Sequence, residues 1–185
     1  MLKAYKYRIY PNKEQRLFFA KTFGCVRFVY NKMLADRISS YKESQENVDQ
    51  SIKYPTPAKY KAAFPFLKEV DSLALANAQL HLDKAYANFF RDKSVGFPKF
   101  KSKKNHHYSY KTNNQKGTIY IENGYIKLPK LKTLVRIKQH RQFDGFIKSV
   151  TISKTPTGKY FAAVLVEENE QLFPKLDARV GIDVG

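Results

Sequence analysis

Residues 2–10, LKAYKYRIY, alternate in character: Ala4, Lys6, Arg8 and Tyr10 fall on one side, Tyr5, Tyr7 and Ile9 on the other. A period of two predicts a strand, and Pro11 ends it. Asn12 followed by Gln15 has the form of a capping box, so a helix is predicted to begin there. Thr22 and Gly24 predict a break in it. Val26, Val29, Tyr30, Met33 and Leu34 then give the apolar stripe of a second helix. Residues 43–58 are polar, contain Pro55 and Pro57, and read as a loop or a short helical turn. Leu75, Ala78, Leu82, Ala85 and Phe89 recur at intervals of three and four, which predicts a long helix over about 70–91. Asp71 or Ser72 can cap its start. Together these segments predict an all-helical unit of three or four helices.

Gly96 and Pro98 close the helical stretch, and the period changes. Short strands are predicted at Tyr108–Thr112, Thr118–Glu122, Tyr125–Leu128, Leu134–Lys138, Ile147–Ser153 and Tyr160–Glu167. Asn123-Gly124 marks a two-residue hairpin, and Thr157-Gly158 a second turn. Strands at this spacing predict a small antiparallel barrel. If residues 2–10 join it, the helices become an insertion between barrel strands. The expected class is α+β.

Composition narrows the function. The chain has 185 residues and a formal net charge of +18, with 43% hydrophobic residues. That fraction supports a packed core rather than a disordered basic tail. No apolar run is long enough to cross a membrane, and MLKAYKYRIYP lacks the apolar stretch of a secretory signal. The single cysteine, Cys25, excludes an internal disulfide, and four His show no zinc-ligand spacing. Residues 93–143 hold thirteen Lys/Arg and one acid, Glu122, so most of the excess charge sits there. A concentrated positive region fits a polyanion bound through its phosphates; a solvated basic surface is the other reading. Phe97, Phe100, Tyr108, Tyr110, Tyr120 and Tyr125 interleave with the lysines. They favour nucleic acid, because bases stack on such rings, although strand cores use the same residues.

Six segments then occur in a telling order: KYRIYPNKEQ (6–15), FGCVRFVYNKMLA (23–35), FLKEVDSLALANAQLHLDKAYANFF (66–90), GFPKFKSKK (96–104), YIKLPKL (125–131) and VGIDVG (180–185). Together they resemble the TnpB (OrfB) proteins of bacterial and archaeal insertion sequences, RNA-guided DNA endonucleases. VGIDVG resembles the first catalytic motif of a RuvC-type, RNase H-like nuclease. The resemblance implies an oligonucleotide-binding-like barrel, the wedge domain, from residues 1–10 and 105–178. It implies a helical recognition domain at 11–104 and the first nuclease strand at 179–185. It implies guide RNA and double-stranded target DNA as partners, with base pairing reading the sequence and the protein reading a short adjacent motif. A prokaryotic cytoplasmic setting goes with it.

RuvC chemistry uses two Mg²⁺ ions clamped by carboxylates. The resemblance gives Asp183 as the first of these, and a Glu and an Asp from later segments as the others. Glu167, Glu168, Glu170 and Asp177 precede the motif and do not match. One carboxylate does not hold two ions, so this chain alone is expected to bind no metal stably and to cut no DNA.

The candidate contacts follow. Lys99, Lys101, Lys103 and Lys104 have no acids nearby in sequence and suit phosphate; Lys6, Arg8, Lys127 and Lys130 are further cations in the resembling segments. Ser109, Lys111, Thr112 and Asn113 open the barrel, where short polar side chains reach base edges or simply make turns. Ser72 and Asn77 are expected on the long helix's face away from the Leu75–Leu82–Phe89 seam, which the resemblance places beside the recognised DNA motif. Arg27 and Asn31 are candidates for nucleic-acid backbone, and Tyr54 for stacking. Two alternatives to a nuclease stand: a guided binder that represses without cutting, and an unguided nucleic-acid-binding barrel protein.

Overall fold

A computed structural model describes residues 1–46 and 54–169. Strand β1 (Leu2–Tyr10) opens the chain and places Tyr7 and Ile9 in the core, 0% and 1% exposed. Helix α1 (Lys13–Glu46) starts on the capping box: the Asn12 amide donates to Gln15 Oε1 and the Gln15 amide to Asn12 Oδ1, each at 2.9 Å. The Gln15 amide nitrogen also donates to Thr133 Oγ1 and Leu134 O, which ties the helix start to the sheet.

The expected break at Thr22 and Gly24 is absent: α1 is one helix of 34 residues, about 50 Å long. Thr22 satisfies its hydroxyl within the helix by donating to Phe18 O at 2.9 Å. Gly24 is carried in the helix interior because the packing on both sides of it holds the backbone helical. Ahead of it, Phe19 and Phe23 pack into the sheet core; beyond it, Val29, Tyr30, Met33 and Leu34 build a separate helical core. Cooperative propagation across two anchored halves outweighs the roughly 1 kcal/mol penalty of a single glycine.

Helix α1 also runs on to Glu46, into the stretch that reads as a loop or a short helical turn. Helix α2 (Pro57–Ala63) occupies the end of that stretch, with Pro57 in its first turn and Tyr60 buried. A 3₁₀ turn at Pro65–Glu69 leads to α3 (Ser72–Arg91). Asp71 caps α3, its Oδ1 accepting from the Leu73 amide, and its Oδ2 accepts from the Thr112 hydroxyl. Leu67, Val70, Leu75, Ala78 and Leu82 complete the helical core.

The sheet holds β2 (Tyr108–Asn113), β3 (Tyr120–Glu122), β4 (Tyr125–Lys127), β5 (Val135–Lys138), β6 (Phe146–Lys154) and β7 (Tyr160–Glu167). All pairings are antiparallel, in the order β2-β6-β7-β1-β5-β4-β3. β1 therefore lies in the middle, and the helices are inserted between it and β2. Asn123 and Gly124 both have positive φ, 48° and 76°, as the β3–β4 hairpin requires.

The sheet curls into an open half-barrel rather than a closed barrel: β2 and β3 are its two edges and do not pair. The Asn114 amide bridges instead, donating to Ile119 O and Ile147 O and accepting from the Ile119 amide. The concave face carries Tyr7, Ile9, Tyr110, Ile126, Val135, Ile137, Val150, Ile152, Tyr160, Ala162, Val164 and Val166, with Phe19 and Phe23 of α1 laid across it. Among the described residues no helix is long and apolar enough to cross a membrane.

Candidate nucleic-acid interface

Alternation along each strand fixes what the opposite, outward face carries. The register aligns Arg8 with Phe161 of β7 and Lys138 of β5, Lys6 with Ala163, and Tyr10 with Arg136. It aligns Arg136 with Tyr125, Tyr120 with Lys127, Ser109 with Ser153, and Lys111 with Thr151. Lys6, Arg8, Lys111, Lys127, Arg136 and Lys138 therefore share one face of the sheet, and Glu122 is an acid in the same row.

At the centre of that face cations and rings alternate. Lys6 Nζ lies 4.9 Å from the Phe161 ring centroid and the Arg8 guanidinium 5.3 Å from it. Arg8 also lies 5.5 Å from the Tyr10 ring, with Arg136 at 5.8 Å from the same ring. Arg8 Nε is buried without a hydrogen-bond partner. Stacking on rings fixes the guanidinium plane while leaving its remaining donors for an acceptor. Phe161, Tyr10, Arg136 and Lys138 were not among the sequence candidates. The alternation in β1 shows its own outward face, but which residues stand beside it depends on cross-strand register.

A second basic surface lies on the helices. Asn31 clamps the loop after α3: its amide nitrogen donates to Lys101 O at 2.9 Å and its oxygen accepts from the Lys101 amide at 2.8 Å. Lys101 Nζ then sits 4.1 Å over the Tyr30 ring. The residue keeps substantial exposure, yet desolvation of the ammonium lowers its pKa from the ordinary lysine value. Lys99, Lys103 and Lys104 are exposed, and Ser102 Oγ caps the turn that carries the last two. Arg27 and Asn31 line an open groove of about 530 Å³ with Gly24, Phe28 and Lys32. Tyr54 is 40% exposed, with the Arg37 guanidinium 5.1 Å over its ring.

Two candidates are placed differently from the expectation. Asn77 is 5% exposed, and its amide donates to Leu73 O at 2.8 Å and to Asn113 Oδ1 at 3.2 Å. It faces β2, not open space, because α3 lies against that edge strand and its polar seam joins the helix to the sheet. Thr112 is 1% exposed on the concave side, held to Asp71. Ser72 is exposed and its hydroxyl accepts from Lys61 Nζ at 2.6 Å. Ser109 is exposed and Asn113 half-buried on β2. Lys127 is drawn down onto the following loop, donating to Leu131 O at 2.5 Å. Lys130 is exposed in that loop with φ of 67°.

Five ion pairs occur among the described residues: Lys3–Glu168, Lys21–Glu69, Lys32–Asp36, Arg37–Asp83 and Lys148–Glu167. None uses a candidate cation, so both surfaces keep their charge for an external anion. Asp183 lies outside the described residues. Among the described residues no three His, Cys, Asp or Glu are grouped to hold a metal ion.

Residues 1–46 match the helix-turn-helix domain of the OrfB proteins of the IS605 group. A protein of Streptomyces pristinaespiralis named RNA-guided DNA endonuclease is 36% identical over 187 residues, covering 99% of this chain and 46% of that protein. A protein of Escherichia coli K12 named "Putative RNA-guided DNA endonuclease InsQ" is 30% identical over 189 residues, covering 100% of this chain and 45% of that protein. The chain belongs to the OrfB (TnpB) family. It spans about half the length of those two relatives. The virulence protein VsdF of Salmonella dublin is 36% identical over 113 residues, which cover 56% of this chain and 95% of VsdF. In this OrfB chain the stretch matched to a helix-turn-helix domain folds as β1 and an unbroken α1.

Proposed function

We propose that this OrfB chain is the guide-RNA- and DNA-binding part of an RNA-guided DNA endonuclease. Residues 1–10 and 105–178 would form its oligonucleotide-binding-like wedge domain, and residues 11–104 its helical recognition domain. The observation that carries the reading is the outward sheet face, where Lys6, Arg8 and Arg136 alternate with Phe161 and Tyr10 without carboxylate partners among the described residues. Cations neutralise backbone phosphates, and rings between them offer stacking surfaces that tolerate any base. The relatives' names support the same reading.

Cleavage is assigned to residues beyond the described ones. The VGIDVG segment supports Asp183 as a carboxylate for Mg²⁺ in the full nuclease, carried on the first strand of a RuvC-type domain. Target DNA would be read by pairing with the guide, next to a short motif contacted by Ser72, Ser109 and Asn113.

Sequencing the RNA that copurifies with the chain tests this reading. The expected result is one dominant species mapping to the end of the genetic element that encodes the protein. Recovery of only assorted cellular RNA would refute guidance and leave an unguided binding protein.

A further inference from the structure

One strip of α1 borders a groove instead of closing a core. Phe19 and Phe23 turn into the sheet core, and Val29, Tyr30, Met33 and Leu34 into the helical core. Gly24, Arg27, Phe28, Asn31 and Lys32 recur at intervals of three and four, which sets them along a common strip of the helix. They line an open groove of about 530 Å³, inside the range of about 300–1,000 Å³ usual for small-molecule sites. Gly24 keeps part of that space free, since nothing lies within 4 Å of where its Cβ would stand. Glycine inside a helix costs stability, and no neighbour in the protein needs the room it leaves.

The lining supplies a ring and a cation. Phe28 is half-buried and braced edge-to-face by Phe64 and Phe66, with centroids 4.8 and 5.3 Å away. Phe66 is itself exposed and extends the aromatic surface. Lys32 is paired with Asp36, whereas Arg27 belongs to no ion pair among the described residues. Asn31 joins the groove to the basic loop: it lines the one and holds the Lys101 backbone of the other through two hydrogen bonds, at 2.9 and 2.8 Å. Exposed Lys99, Lys103 and Lys104 stand on that loop. A strand whose phosphates follow the loop can therefore place its next unit at the groove. The cations favour such a polyanion over an apolar peptide.

We propose that the α1 groove takes one unpaired nucleotide of a bound single strand, its base against Phe28 in the space left by Gly24 and its phosphate on Arg27. The proposal rests on the nucleic-acid-binding reading above and adds a site separate from the outward sheet face. A ring offers any base a stacking surface, and a guanidinium matches phosphate geometry. A base within a duplex is already stacked and paired, and extracting it costs energy, so the groove selects single strands. Gly24 determines that selection by withholding the side chain that would fill the groove.

The test measures affinity of the full chain for three fluorescently labelled probes of one arbitrary sequence: single-stranded RNA, single-stranded DNA and the blunt RNA–DNA hybrid. Gly24→Leu places a strong helix former in the helix and a large side chain in the groove. Its thermal midpoint is expected to be no lower than that of wild type, while single-strand affinity falls about fivefold or more and hybrid affinity holds. A loss seen with only one of the two single strands supports the proposal and names the strand that supplies the nucleotide. Arg27→Gln is expected to flatten the log–log salt dependence of single-strand binding by about 0.7. Wild-type single-strand affinity in Gly24→Leu would overturn the proposal, leave the groove to a protein partner and spare the broader reading. An equal loss on the blunt hybrid would overturn it too, because the groove would then hold duplex backbone. If Gly24→Leu fails to fold, an unchanged salt slope in Arg27→Gln decides against it. Failure of wild type to bind any of the three probes would take down both readings.

Discussion

Single residues join the two halves of this chain. Thr112 and Asp71 are both enclosed, and the threonine hydroxyl is the donor that meets the second oxygen of the helix-capping carboxylate. Replacing Thr112 by Val keeps the volume and removes that donor. A buried carboxylate oxygen left without a partner costs about 1–3 kcal/mol. The expected outcome is a lower urea midpoint with an unchanged slope; an unmoved midpoint would show that the pair carries no stability. Gly145 makes a different demand: a Cβ there would stand 2.4 Å from Glu167 O, so no other residue fits without moving the β7 backbone. The sequence makes Asp71 legible as a cap, because caps are local. It does not make Thr112 or Asn77 legible as joint residues, because their partners lie 41 and 36 residues away in the chain.

At the scale of elements, α1 departs most from the sequence reading. Glycine and threonine are local signals for a break, and two hydrophobic clusters anchored to either end of the same helix override them. Gly24 serves no packing need: nothing lies within 4 Å of where its Cβ would be. Gly24→Ala is therefore expected to stabilise the chain by about 0.5–1 kcal/mol, through the conformational freedom of the unfolded state. A rise in thermal midpoint checks this; a fall would mean that α1 needs flexibility at that point. The strands from Tyr108 to Glu167 follow the predicted segments closely, since period-two patterning and Asn123-Gly124 act over a few residues. Closure into a barrel is a property of the whole sheet, and here the two edges stay unpaired.

Across the whole molecule, charge and topology combine. β1 leaves the sheet centre, the chain makes its helical excursion, which carries the second cationic surface, and it returns to the sheet at β2. Each phosphate neutralised on duplex DNA contributes about 0.9 to the slope of log affinity against log salt. The double variant Lys6→Ala, Arg8→Ala is expected to flatten that slope by about 1.8 at most, measured by anisotropy titrations over a range of NaCl concentrations. A slope equal to wild type would remove the outward sheet face from the interface. By itself the sequence determined the α+β class, the strands, the cap at Asn12, the family and the cationic excess, all of which rest on short-range pattern or on composition. Only the tertiary structure decided that α1 is continuous, that the barrel is half open, that Phe161 and Arg136 flank Arg8, and that Asn31 grips Lys101. Those facts depend on which distant residues meet, and meeting is fixed by register and packing rather than by spacing along the chain.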